Sequence, residues 1–271
     1  MQRSILSWQG FSVLAAAITL ECTPSGVIRP DEETQDPDIV RPSSRESRLE
    51  TLPGPMLGPF DSYTTALETA CEHFLKKPHS SAGRKPPSTA LREEQVAFEL
   101  RWRVSKEYCA WMYYTPDGKY KISKLTDVTK SNAFGKKVNC LIPSKVEDRD
   151  YPSDSIKYVF LLHSHPYDTP ISEDDILFLE REGERHGFDP ETQDRKKLRI
   201  SIVAFFSHDD GAPACDGFYI YSAQTTRIFK WTRTQGHLAC EQTHVVDWRD
   251  YDNFDLSITS SVAPCPGKGT P

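Results

Sequence analysis

None of the seven cysteines, at positions 22, 71, 109, 140, 215, 240 and 265, stands in a Cys-x-x-Cys pair, which excludes a zinc ribbon and a thioredoxin-type redox motif. Positive charge is short as well: 33 Lys plus Arg against 39 Asp plus Glu leave a net charge of −6. Nucleic-acid binding that rests on net positive charge is therefore excluded. No apolar run is long and uninterrupted enough for a membrane span of about 20 residues. Glycine is outnumbered by proline, 14 to 20, and no internal repeat appears. What remains is 37% hydrophobic and 11% aromatic, with a mean hydropathy of −0.56. That mixture is too polar to fold end to end and too aromatic to be wholly disordered. A chain of 271 residues could hold two domains, but its apolar runs cluster between about residues 60 and 232, so one ordered domain with loose ends is expected.

Residues 1–22 combine Arg3, the apolar Phe11 to Leu20 stretch and small residues at Ala15, Ala16 and Ala17, the layout of a secretory signal. Cys22 invites a lipoprotein reading, against which Leu20 and Glu21 stand where small residues belong. The alternative is an ordinary buried or frayed segment. The expected location is exported, as a periplasmic, outer-membrane lipoprotein or extracellular protein, with a cytoplasmic one left open. Membrane attachment would come only through an N-terminal lipid. If Cys22 is removed or lipidated, six cysteines permit up to three disulfides in 15 connectivities, while Cys71 and Cys109 could equally be small buried hydrophobes.

Residues 23–60 are rich in Pro, Ser, Asp and Glu without helical or strand period and read as a disordered linker. Order is expected from about Ser62, where Ala66, Leu67, Ala70, Cys71, Phe74 and Leu75 make a helical stripe. A second helix opens at Ser88 or Thr89 and runs to about Arg103. Tyr108 to Tyr114 and Lys119 to Leu125 flank an Asp117-Gly118 turn, a hairpin signal. Ile156 to Leu162 is apolar at nearly every position and reads as a strand buried on both faces. A helix from Ser172 to about Arg185, a strand from Leu198 to Phe206 and a hairpin over Gly217–Ser222 and Thr226–Trp231 complete an α/β or α+β three-layer domain over 61–235. Residues 236–271 read as a partly disordered extension, frayed at its end. The polar loop 126–155, around Phe134 and Tyr151, borders the expected cleft or is simply solvated.

The chemistry concentrates in 13 residues from His163 to Asp175. On a strand, positions i and i+2 face the same way, so His163 and His165 project together from the strand end, where Pro166 stops the ladder. Ser172 then opens a helix, and Asp175 in its first turn can reach back toward the histidines. Two imidazoles and a carboxylate suit zinc and leave a coordination position open for catalysis. Taken alone, Ser172-Glu-Asp-Asp175 is also an ordinary N-cap followed by acids favourable with the helix dipole. His237 and His244 lack partners at metal spacing. A deaminase would need His-x-Glu and Pro-Cys-x-x-Cys, and neither occurs.

This stretch resembles the JAMM (MPN+/JAB) metalloprotease signature: a Glu on an earlier strand, His-x-His-Pro, a short loop and Ser-x-x-Asp. The resemblance implies a cytidine-deaminase-like fold, Zn2+ as cofactor, His163, His165 and Asp175 as its ligands, and Ser172 as oxyanion helper. It implies Glu107, ahead of Ala110, as the catalytic acid/base acting on the water. Glu93, Glu94 and Glu99 belong to the preceding helix and are poorer candidates. Five residues separate Pro166 from Ser172 where the family more often has six, so Asp174 is an alternative ligand. Within the family, the chain looks most like JAB-like domains attached to bacterial secreted or toxin-type proteins. The expected function is zinc-dependent hydrolysis of a peptide or isopeptide bond in a protein or peptide substrate. The alternative is a JAB-like binding module or surface lipoprotein that keeps the metal motif without turnover.

Overall fold

The helical stripe of Ala66, Leu67, Ala70, Cys71, Phe74 and Leu75 folds as α1 (Tyr63–Leu75), with Ser62 as N-cap accepting from the Thr65 amide and all six stripe residues buried. It belongs to a computed structural model that describes residues 36–43, 49–131, 137–250 and 253–259. Before α1 stand β1 (Leu52–Gly54) and β2 (Leu57–Phe60), and after it come α2 (Arg92–Val104), β3 (Cys109–Tyr114), β4 (Tyr120–Ile122), β5 (Thr129–Ser131), β6 (Lys137–Cys140) and β7 (Val146–Asp148). The second half holds β8 (Lys157–Ser164), α3 (Glu173–His186), β9 (Ser201–Phe206), β10 (Gly217–Ser222), β11 (Arg227–Thr234), β12 (His237–Trp248) and β13 (Phe254–Ile258).

Nine strands form one sheet in the order β13-β12-β11-β10-β9-β8-β3-β4-β2. It is mixed, because β8 and β9 run parallel while β3 lies antiparallel to β8. The crossover from β8 to β9 is made by α3, as a parallel pair requires. Successive residues point to opposite faces, and the core divides accordingly. Met112, Phe160, Leu162, Val203 and Phe205 pack with α1. Trp111, Leu161, Ile202, Ala204 and Phe206 pack with Ile176 and Leu179 of α3. The protein is thus an α+β domain with a central mixed sheet, and β8 is buried on both faces as its continuous apolar run predicts.

Three expectations need correction. The linker expected over 23–60 is structured in its last part: Leu52 is fully buried and pairs with Val146, and β2 forms the sheet edge against β4. Further upstream, Ile39 is buried and bridges Leu125, while Arg41 holds Asp127 through bonds of 2.7 and 2.6 Å. The boundary expected at 235 falls inside the sheet, since β12 and β13 extend it. Finally, α2 starts at Arg92 after an N-cap at Leu91, not at Ser88 or Thr89. The loop 126–155 carries β5, β6 and β7 and contributes Ile142 and Val146 to the core, so it is more than a solvated border. The signal segment 1–22, Cys22, Phe134 and the terminus beyond residue 259 lie outside the described residues. Among the described residues, no helix is long and apolar enough to cross a membrane.

Cys71 and Cys109 are not mere buried hydrophobes. Disulfides join Cys71 to Cys215 and Cys109 to Cys140. The first ties α1 to the segment before β10, and the second ties β3 to the end of β6.

Candidate metal centre

The last residues of β8 carry the site. His163 lies opposite Cys109 of β3 and beside Ala204 of β9, whose small side chain leaves room for an imidazole. Beyond the strand, the His165 amide donates to the Phe205 carbonyl at 2.7 Å, which keeps the chain aligned for one more residue. His163 and His165 therefore share the face that α3 covers, and their rings lie 4.6 Å apart. Both are buried, at 2% and 5% exposure.

The start of α3 closes the site. Ser172 and Asp175 form a capping box: the Ser172 hydroxyl accepts from the Asp175 amide, and the Asp175 carboxylate accepts from the Ser172 amide at 3.0 Å. The Ser172 hydroxyl also bonds Asp175 Oδ2 at 2.6 Å. These bonds turn the carboxylate back toward β8, where Oδ1 lies 3.9 Å from His163 Nδ1 and Oδ2 lies 3.9 Å from His165 Nε2. The Asp175 side chain is only 12% exposed, whereas Asp174 faces solvent. One ligand atom from each of His163, His165 and Asp175 falls within 4.8 Å of the others. The five-residue loop between Pro166 and Ser172 leaves Asp175, not Asp174, beside the histidines.

The electrostatics suit metal binding. Burial pushes the His163 imidazole down to about 4, with Asp175 opposing and His165 adding to the shift. Burial likewise lowers His165, against Asp175 and the Thr169 carbonyl. Both rings are neutral at pH 7, the form that coordinates metal. His165 Nδ1 lies 2.8 Å from the Thr169 carbonyl oxygen. A carbonyl only accepts, so the proton sits on Nδ1 and the Nε2 lone pair faces Asp175. His163 Nε2 is buried without a hydrogen-bond partner. A buried polar atom left in this state is costly unless something else satisfies it, and two neutral imidazoles with one carboxylate converging within 4.8 Å form a donor set that fits a cation.

Glu107 is half-buried just before β3. The Ser164 amide donates to the Tyr108 carbonyl at 3.0 Å, which continues the register that pairs Cys109 with His163. Extended by one residue, that register would bring Glu107 to the level of His165. Glu93, Glu94 and Glu99 lie on exposed positions of α2. His237 and His244 lie on β12, outside the cluster.

Sequence reading missed what holds the loop between Pro166 and Ser172. On one side, the Ala82 amide donates to the Pro166 carbonyl at 2.6 Å, and the Tyr167 ring packs edge-on against Phe98 of α2 at 5.4 Å. On the other, Asp168 bonds Tyr219, Lys230 and His208. These partners come from distant segments and share no spacing with the motif. A groove of about 1440 Å³ lies between the start of α1 and the β10–β12 strands and includes none of the three candidate ligands. No protein-family profile matches this chain and no curated protein matches it, so the functional reading rests on the geometry of these residues.

Proposed function

We propose that this protein is a zinc-dependent hydrolase of peptide or isopeptide bonds, a JAMM-type metallopeptidase on a cytidine-deaminase-like fold. The convergence of His163, His165 and Asp175 at the β8–α3 junction carries the reading. These three residues would hold the ion. A bound Zn2+ supplies Lewis acidity, lowering the pKa of water toward roughly 7 and polarising a carbonyl. Glu107 takes the proton of the attacking water and passes it to the leaving amine. Ser172 orients Asp175, and its exposed hydroxyl can turn its proton toward the oxyanion that develops on the scissile carbonyl. Two disulfides support an exported location.

The near-complete enclosure of both imidazoles favours a second reading, a binding module that keeps the metal without turnover. Both readings require the ion. Metal analysis of the purified full chain, reconstituted at neutral pH, is expected to give one zinc per chain for wild type and none for His165→Ala. A wild-type protein without bound transition metal overturns the site.

The identity of the carboxylate ligand gives a further expectation. Neighbouring residues on a helix point about 100° apart, so only Asp175 can face β8. Asp175→Asn should weaken zinc binding by more than the ~10–100-fold typical of losing an outer-shell partner, and Asp174→Asn should leave it nearly unchanged. Titration against a competing chelator reads the ranking, and the reverse order would move the ligand to Asp174.

A further inference from the structure

We propose that Tyr219, Lys230 and His208 are positioning residues for His165, acting through Asp168 on the loop that carries the Thr169 carbonyl. The inference rests on the metal reading above and goes further, because these residues touch none of the three ligands.

Asp168 lies three residues after His165, inside the loop between strand and helix. Its Oδ1 accepts from the Tyr219 hydroxyl at 2.7 Å. Its Oδ2 accepts from Lys230 Nζ at 2.7 Å and lies 3.1 Å from His208 Nε2. The donors come from β10, β11 and the segment just after β9, so one carboxylate ties the loop to two strands and to the turn that follows a third. The donors are themselves held. Lys230 Nζ lies over the Phe206 and Tyr219 rings, 5.2 and 5.4 Å from their centroids, and the His208 amide donates to Asp216 Oδ2 at 2.7 Å.

The next residue along the chain is Thr169, whose carbonyl receives the His165 Nδ1 proton. That bond sets the tautomer that leaves Nε2 free toward Asp175. A loop of five residues has little slack between Pro166 and the Ser172 cap, so a shift of Asp168 moves the Thr169 carbonyl with it. The Asp168 cluster thus holds the acceptor that orients the ligand.

A general contribution to stability is separable by a control on the same strand. Tyr221 also points its hydroxyl at a buried acid, Glu180, at 3.1 Å, but it is not joined to the loop. Zinc affinity of the full chain is measured by competition with a chelator, using Zn2+ alone as probe, alongside thermal unfolding of the metal-free proteins. Tyr219→Phe combined with Lys230→Met is expected to weaken zinc about 10–100-fold, the range for lost outer-shell support. Tyr219→Phe alone, the milder change, should weaken it in the same direction, and Lys230→Arg should retain most of the affinity. Tyr221→Phe should lower the unfolding temperature and leave zinc affinity unchanged. If wild type binds one zinc and the double variant binds it equally well, the positioning role is wrong. Equal weakening by Tyr221→Phe overturns it too, by showing a general loss of stability. A wild type that binds no zinc instead overturns the underlying metal reading.

Discussion

Glu107→Gln is expected to keep one zinc per chain and to slow hydrolysis of any substrate the wild type cleaves by about 10²–10⁴-fold, the usual contribution of a positioned acid/base. The amide has the shape of the carboxylate but neither accepts the proton of the attacking water nor hands it to the leaving amine. Glu107 lies two residues before Cys109, which pairs with His163, and is not one of the three grouped ligands, so the substitution should leave the metal ligands in place. Zinc content and turnover must therefore separate in this variant. Turnover equal to wild type would move the proton transfer to another group. Zinc binding by wild type with no hydrolysis across a broad peptide and isopeptide library would favour the binding module.

The parts of this arrangement that were legible in the sequence are those whose signal is local. The run Ile156 to Leu162 is apolar at every position but Lys157, on both faces, as a central strand requires, and it placed the His-x-His pair on a strand end. Ser172 and Asp175 stand at capping-box spacing, and that spacing alone fixes which way the carboxylate turns. The hairpin of β3 and β4 follows from Asp117-Gly118, with Gly118 at a φ of +81° that favours glycine.

Other parts depend on partners far along the chain. β1 has three residues, too few to show a period, and exists because Leu52 pairs with Val146. β12 carries polar residues on a partly exposed surface, so its alternation is faint, and its neighbours β11 and β13 define it instead. Ile39 stands among prolines and acids that resemble a tether, and only its pairing with Leu125 reveals the strap. Cysteine spacing could not rank the connectivities, because Cys71 and Cys215 are 144 residues apart and meet only through the fold.

That long separation gives the Cys71–Cys215 bridge a larger expected effect on stability than the Cys109–Cys140 bridge. A cross-link restricts the unfolded chain in proportion to the logarithm of the loop it closes. For a separation of 144 residues the chain-entropy estimate is about 5 kcal/mol, and for the separation of 31 residues between Cys109 and Cys140 it is about 4 kcal/mol. Measured values commonly fall nearer 2–4 kcal/mol, still a large share of the ~5–15 kcal/mol that stabilises a typical domain. The two bridges should nonetheless differ in kind. Cys71 and Cys215 belong to the core on the α1 face, away from the ligands. Cys109 lies directly opposite His163 on the face of α3. Replacing Cys71 and Cys215 together by alanine should thus lower the urea midpoint strongly while zinc affinity in the folded protein stays at the wild-type value. Replacing Cys109 and Cys140 should lower the midpoint somewhat less and also weaken zinc, because it frees the strand that faces His163. Unchanged zinc affinity in the second pair of substitutions would show that β8, α3 and the loop between them hold the ligands without help from β3.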